Sequence, residues 1–116
     1  MGFIGSNFVK HILKKTDANV INIDNMSIGS NEKNHRSFHN NERYKFIKSS
    51  ISDDHIYDIM FKNNIDCLVN FAAESHVDRS LDEPSSFFKT NALGTLNLLN
   101  ASLEYSKTRY IHFHQI

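Results

Sequence analysis

Cysteine, proline and tryptophan are almost missing from this chain, which has one cysteine, one proline and no tryptophan in 116 residues. The lone Cys67 excludes an internal disulfide and favours a reducing compartment, so we expect the protein in the cytoplasm. Thirteen Lys and Arg balance thirteen Asp and Glu, so no net charge is available to attract nucleic acid or an anionic membrane surface. No apolar run is long enough to cross a bilayer. These absences indicate a globular chain of one domain at most.

The apolar residues alternate along the chain between the period of a helix and that of a strand. After Gly5 they recur at helical spacing and predict a first helix that buries Phe8, Val9, Ile12 and Leu13. Strands are predicted at 20–23, 44–48, 67–71 and 110–116, and the third is expected to be buried on both faces. The polar stretch 25–43 predicts a loop with room for one helical turn.

Two more helices are predicted between these strands. A short one covers 53–61, with Ser52 or Asp53 as its cap. A long one starts near Pro84. Its apolar stripe is expected in the core, with an exposed stripe at an interface as the alternative, and it consists of Phe88, Ala92, Leu96, Leu99 and Leu103.

The resulting order α-β-β-α-β-α-β predicts an α/β fold with a doubly wound parallel sheet of four strands. Because the order begins with a helix, the first strand of such a sheet is missing. Strands 20–23 and 67–71 are therefore expected either to be separated by a gap or to pair directly.

The first glycines resemble the end of a phosphate-binding loop. A dinucleotide fingerprint uses glycines for the turn, for backbone approach to the pyrophosphate and for helix packing, and Gly2 and Gly5 would be the second and third of these. Asp24 ends the next strand nineteen residues after Gly5, where an acidic residue is expected to accept the ribose hydroxyls. Its carboxylate would repel a 2′-phosphate, so the pattern favours NAD over NADP.

A second informative stretch, FAAESHVDRS, directly follows the third predicted strand. Ligands of open α/β sheets bind at the carboxyl edge of the strands, which is where this stretch begins. The small Ala72 and Ala73 would let a flat cofactor lie against the backbone. Hydrogen-bonding and charged groups at the rim would be supplied by Ser75, His76, Asp78 and Arg79. His35 and His39 stand four residues apart without a nearby acidic or cysteine partner, so we expect no metal site.

The chain resembles the nucleotide-sugar 4,6-dehydratases of the extended short-chain dehydrogenase/reductase family, and within it the enzymes that act on dTDP-glucose. The segments that carry the resemblance occur in family order and spacing, and they are GFIGSNFV, VINIDNMS, YKFIKSSISD, VNFAAESHVDRS and FFKTNALGTLNLL. The resemblance covers essentially the whole chain. It implies that residues 1–116 are part of an NAD-binding Rossmann domain of a homodimeric enzyme with a nucleotide-sugar substrate.

The resemblance also implies which residues contact NAD. The pyrophosphate loop would contain Gly2, Phe3, Ile4 and Gly5. The adenosine ribose would be bound by Asp24, Asn25, Met26 and Ser27, and the adenine by Ser50 and Ile51. The nicotinamide side would be lined by Phe71, Ala72, Ala73, Glu74 and Ser75, with Thr90 touching the cofactor from the long helix. Ser75 would also contact the sugar.

Three departures from the family bear on function. Ser50 stands where the family usually has an aspartate that holds the adenine. The loop DNMSIGSN resembles that of the related sugar-nucleotide epimerases and decarboxylases about as well, so these activities stay open as alternatives. The chain ends at Ile116, before the family's Ser-Thr-Asp-Glu segment and its Tyr-x-x-x-Lys motif. We therefore expect no catalytic residue here and a chain that is inactive by itself, and a fragment that only binds nucleotide or a partner is a further alternative.

Overall fold

The computed structural model describes residues 2–26, 31–73, 82, 84–105 and 108–112. The chain divides into two compact units, Met1–Ser49 and Ser50–Ile116, which are described separately below. The assignment of residues 1–116 to one partial domain stays a prediction. Among the described residues, no helix has the length and apolar character needed to cross a membrane.

The first unit contains helix α1 (Phe3–Lys15) and two parallel strands, β1 (Val20–Asp24) and β2 (Tyr44–Lys48). The strands pair in register from Val20 opposite Tyr44 to Asp24 opposite Lys48. Between them, the predicted polar loop contains a short 3₁₀ helix at Glu32–His35, so the single helical turn expected there is confirmed.

The core of the first unit lies under α1. Val9 and Leu13 of the helix are buried together with Phe38 and Tyr44. The rings of Phe38 and Tyr44 meet edge to face, with centroids 4.8 Å apart. The helical spacing found in the sequence thus gave the correct buried face of α1, although Phe8 and Ile12 are only half-buried.

The guanidinium of Arg43 holds the end of α1 from outside this core. Its nitrogens donate to the carbonyls of Leu13 at 2.6 Å, Thr16 at 2.8 Å and Ala18 at 3.1 Å. The last carbonyls of a helix have no intrahelical donor, and a cation is favourable at the negative end of the helix dipole. Arg43 therefore satisfies acceptors that the helix itself leaves without a partner.

The second unit contains α2 (His55–Asn63), β3 (Cys67–Asn70) and β4 (Arg109–His112). A helical stretch between these strands is made of α3 (Pro84–Phe88), a π-helical segment (Lys89–Gly94) and α4 (Thr95–Glu104). α2 packs against α4, and the core of the unit includes Ile51, Ile56, Ile59, Met60 and Leu98. Ile56 is fully buried.

The capping prediction for α2 is wrong. The helix begins at His55, so Asp54 precedes it, and the side chain of Asp54 makes no capping hydrogen bond. Asp53 instead accepts a bond from the Ser50 amide, so its carboxylate closes a turn before the helix. The other end of α2 stops at Asn64, whose φ of 47° and ψ of 58° are the left-handed conformation that commonly ends helices.

The four strands form two sheets of two strands, β1 with β2 and β3 with β4, all parallel. In the doubly wound order 3-2-1-4-5-6, strands 2 and 3 are neighbours, as are strands 4 and 5. When β1 is counted as strand 2, the observed pair β1-β2 corresponds to strands 2 and 3, and the pair β3-β4 corresponds to strands 4 and 5. The parallel α/β class is therefore confirmed. The prediction of one four-stranded sheet is wrong for the described residues, which form two separate sheets. β1 and β3 were expected either to be separated by a gap or to pair directly, and they do not pair, because strands 2 and 4 are not adjacent in this order.

Burial corrects two further expectations. β3 ends at Asn70, and its Cys67 is exposed while Leu68 and Val69 are half-buried, so the strand is not buried on both faces. The apolar stripe is exposed rather than buried, with Phe88 60%, Leu96 52% and Leu103 78% accessible. α4 instead buries Leu98, Ala101 and Ser102. The predicted last strand begins at Arg109, and its residues 113–116 lie outside the described ones.

Candidate functional site

The predicted pyrophosphate residues lie at the exposed start of α1. Gly2 precedes the helix, and Phe3, Ile4 and Gly5 form its first turn. Helix geometry leaves the first amides without an intrahelical acceptor, which makes a helix start suitable for an anion. No heavy atom of the residues that the structure describes lies within 4 Å of the position that a Cβ on Gly2 would occupy, its chain neighbours aside. The start of α1 therefore has both the amide donors and the open space that a pyrophosphate needs.

Asp24 lies at the carboxyl end of β1, as predicted, and its carboxylate also orders the next turn. Its Oδ1 accepts a hydrogen bond from the Met26 amide at 2.7 Å. Met26 has a φ of 58°, a left-handed conformation that is uncommon for a residue with a side chain. A carboxylate has about four acceptor sites. Asp24 can therefore close this turn and still accept ribose hydroxyls. Asn25 is exposed, and Ser27 lies outside the described residues.

Ser50 and Ile51, which are predicted to lie at the adenine, belong to a tight turn, Ser50–Asp53, which follows β2 along the chain. The Ser50 amide donates to Asp53 Oδ2 at 3.0 Å, and the Asp53 amide donates to the Ser50 carbonyl at 3.2 Å. The hydroxyls of Ser50 and Ser52 are 2.8 Å apart and hydrogen-bonded. The Ser50 hydroxyl is thus used inside the turn, whereas an aspartate at this position would present a carboxylate.

The segment that follows β3 is held at its start by Asn70, which the sequence did not single out. Asn70 is 3% exposed. Its Oδ1 accepts a bond from the Ala72 amide at 2.9 Å, and its Nδ2 lies 3.2 Å from His112 Nδ1 on β4. Phe71 and Ala72 are half-buried and Ala73 is exposed. Glu74 and Ser75 lie outside the described residues, so their predicted contacts with nicotinamide and sugar stay predictions.

Thr90 lies within the π-helical segment Lys89–Gly94 and is half-buried. π-helical turns are rare and occur frequently at functional sites, so the backbone here is consistent with a ligand-contacting role for Thr90. The contact itself stays a prediction. Directly after this segment, the buried Oγ1 of Thr95 has no hydrogen-bond partner among the described residues.

Tyr44 and Lys48 have the Tyr-x-x-x-Lys spacing, but the structure does not make them a catalytic pair. Both lie on strand β2, where four residues extend over about 13 Å, whereas the same spacing on a helix brings side chains within about 6 Å. Burial raises the pKa of the Tyr44 phenol above its ordinary value, although a hydrogen bond from Asn22 opposes the shift. A raised pKa disfavours the phenolate that a catalytic tyrosine needs. Tyr44 is instead a buried residue of the core of the first unit.

Comparisons with known proteins agree with this fold. The family model described as GDP-mannose 4,6 dehydratase matches residues 1–116. A dTDP-glucose 4,6-dehydratase of Escherichia coli is 42% identical over 105 residues, which are 90% of this chain and 29% of the relative. The low-salt glycan biosynthesis protein Agl12 of Haloferax volcanii is 36% identical over 110 residues, 95% of this chain and 35% of the relative.

Solved structures of nucleotide-sugar dehydratases and epimerases resemble the fold of this chain. The crystal structure of a dTDP-glucose 4,6-dehydratase from Streptomyces venezuelae with bound NAD has a TM-score of 0.86 and 34% identity, over 96% of this chain and 36% of the other. The UDP-Glc/GlcNAc 4-epimerase of Campylobacter jejuni has a TM-score of 0.83 and 28% identity, over 96% and 33%. The chain thus spans about a third of the length of these relatives. With the family model matched along residues 1–116, the chain belongs to the GDP-mannose 4,6 dehydratase family.

Proposed function

We propose that this chain is the NAD-binding part of a nucleotide-sugar 4,6-dehydratase that converts dTDP-glucose to dTDP-4-keto-6-deoxyglucose. The observation that carries the proposal is Asp24, whose carboxylate ends β1 nineteen residues after Gly5. The similarity to dTDP-glucose 4,6-dehydratases, at 42% identity for one of them, supports the substrate. NAD, when bound, supplies the hydride acceptor for oxidation at sugar C4 and the hydride that returns at C6.

The proposed roles follow the chemistry of each segment. The first amides of α1 bind the pyrophosphate, and the carboxylate of Asp24 accepts the adenosine ribose hydroxyls. The Ser50–Asp53 turn contacts the adenine, while residues 71–75 and Thr90 line the nicotinamide side. No catalytic acid or base is proposed among residues 1–116. We therefore expect residues 1–116 alone to have no dehydratase turnover. Formation of the 4-keto-6-deoxy product from dTDP-glucose and NAD would contradict this expectation.

The proposal is tested by titrating NAD and NADP into the wild type, Asp24→Ala and Asp24→Asn. The wild type is expected to prefer NAD, because a 2′-phosphate would meet the Asp24 carboxylate. Asp24→Ala should weaken NAD binding about tenfold, since a charge-assisted hydrogen bond contributes about 1.5 kcal/mol. Asp24→Asn keeps an oxygen for the Met26 amide but removes the charge. This variant should therefore keep the turn and lose the preference for NAD.

Asp17→Ala is the matched control, because Asp17 is an exposed aspartate of the same unit. It should bind both cofactors as the wild type does. Equal binding of NAD and NADP by the wild type, or unchanged NAD binding by Asp24→Ala, would mean that Asp24 only orders the turn at Met26.

A UDP-sugar 4-epimerase is the second candidate function. The observation that favours it is the likeness of this fold to the C. jejuni UDP-Glc/GlcNAc 4-epimerase, at a TM-score of 0.83. The two candidates share the cofactor and differ in the nucleotide of the substrate. Competition between dTDP-glucose and UDP-glucose for the NAD-loaded protein distinguishes them.

We also propose that the protein forms a homodimer through the apolar stripe, in the reducing environment of the cytoplasm that its single cysteine suits. Phe88 and Leu103 are 60% and 78% exposed, and large exposed apolar side chains on one helical stretch are the kind of surface that an interface covers. Sedimentation equilibrium of the wild type is expected to give twice the mass of one chain. The Leu103→Glu variant should give a mass closer to that of a single chain. Monomeric wild type at high concentration would contradict the dimer.

A further inference from the structure

The Ser50–Asp53 turn is held in place by a residue distant in the sequence, Asn97 of α4. The Nδ2 of Asn97 donates to the carbonyl of Ile51 at 2.8 Å and to that of Asp53 at 3.1 Å. These partners are 46 and 44 residues away along the chain. A carboxamide nitrogen carries two hydrogens, so one side chain satisfies both carbonyls.

A glycine on the same helical stretch completes this contact. A Cβ on Gly94 would lie 2.6 Å from both Cγ1 and Cδ1 of Ile51, so no larger residue fits there without displacing that side chain. Gly94 and Asn97 are three residues apart, which places them on one face of a helix. Ile51 itself is 8% exposed. The helix therefore receives the Ile51 side chain at Gly94 and two carbonyls of the turn at Asn97.

We propose that Asn97 is a positioning residue for the adenine of the cofactor, acting through the Ser50–Asp53 turn. The inference rests on the proposed function, which assigns Ser50 and Ile51 to the adenine. A turn of four residues that had to become ordered on binding would lose affinity through conformational entropy. Asn97 removes that loss by fixing the backbone on both sides of Ser52 before the ligand arrives. It contacts the turn and does not itself touch the base.

The test compares AMP and NAD binding in the wild type, Asn97→Asp, Asn97→Ala and Asn100→Ala by ligand-observed NMR. Asn97→Asp keeps the shape but removes both donors and faces the two carbonyls with a carboxylate. Asn97→Ala removes the donors without adding a charge, so it carries the comparison if Asn97→Asp does not fold. Asn100 is an exposed asparagine of the same helix and serves as the control.

Both Asn97 variants are expected to bind AMP and NAD about 5- to 30-fold more weakly, the effect of one to two lost hydrogen bonds. Asn100→Ala should match the wild type. Nicotinamide mononucleotide, which has no adenine, should bind equally to all of them. A role confined to stability would lower the unfolding temperature and leave the AMP affinity of the folded variants unchanged.

The outcomes separate this inference from the function on which it rests. If the wild type binds NAD and AMP and Asn97→Asp and Asn97→Ala bind them equally well, the role of Asn97 is overturned while the proposed function stands. If the wild type binds neither ligand, the proposed function is overturned and the adenine role of Asn97 is overturned with it. Weaker binding of AMP with unchanged binding of nicotinamide mononucleotide supports both.

Discussion

Replacing Ile56 with alanine is expected to lower the free energy of unfolding by about 2–5 kcal/mol. Ile56 is the largest side chain that the structure describes as fully buried, and it lies on α2 beside the buried Ile59 and Met60. Removing three carbon atoms there loses their transfer free energy and leaves a cavity that the packed neighbours fill only in part. Since domains of this size are stable by about 5–15 kcal/mol, the variant should retain only part of the wild-type stability.

Urea denaturation followed by circular dichroism measures the effect as a lower midpoint at similar slope. Phe61→Ala is the matched control, because Phe61 lies on the same helix and is 69% exposed. That variant should lose much less, even though its ring is larger than the side chain of Ile56. Equal losses in Ile56→Ala and Phe61→Ala would show that α2 is not packed through the face that the structure buries.

Replacing Arg43 with alanine is expected to destabilise the chain by about 2–3 kcal/mol. The substitution removes three hydrogen bonds from a charged donor to the carbonyls of Leu13, Thr16 and Ala18. Bonds of this kind contribute about 1.5–3 kcal/mol each when shielded from water, but two of these three are exposed. The sum is therefore smaller than three full contributions.

The unfolding midpoint in urea measures this change, and hydrogen exchange of the Thr16 amide locates it. Thr16 donates to Ile12 at the last turn of α1, so its amide should exchange faster in Arg43→Ala. Arg43→Lys keeps the charge but offers one nitrogen, and it should restore only part of the loss. Arg36→Ala removes an exposed arginine of the same unit and should cost little. A wild-type midpoint in Arg43→Ala would mean that water replaces the guanidinium without loss.

The order of elements and the buried face of α1 were predictable because both depend on the local period of apolar residues. The buried face of α4 was not. This helix has leucines on two faces, so periodicity alone cannot choose between the stripe that ends at Leu103 and the one around Leu98. The π-helical segment before it also changes the angle between successive residues. Counting at 3.6 residues per turn from Phe88 therefore loses the correct phase.

The candidate cofactor residues were predictable at strand and helix ends, where Asp24 and the start of α1 lie as the sequence indicated. The asparagines that hold the neighbouring turns were not. Asn70 bonds to the Ala72 amide, and Asn97 bonds to carbonyls more than forty residues away. The Asn97 bonds leave no spacing in the sequence because their partners are distant, and the Asn70 bond, which spans only two residues, is an arrangement that asparagines in many turns share. The only signal was a polar residue inside an apolar stretch, as at Leu96-Asn97-Leu98.

The π-helical segment Lys89–Gly94 contains more residues per turn than the α-helices on either side of it. A π-helical turn closes with i→i+5 bonds and an α-helical turn with i→i+4 bonds, so deleting one residue and letting the segment wind as an α-helix would keep the turns on either side close to their present angular relation. The change would fall on the segment itself, which contains Thr90. We therefore expect the deletion of one residue from this segment to leave Leu98 packed and to change the backbone beside Thr90.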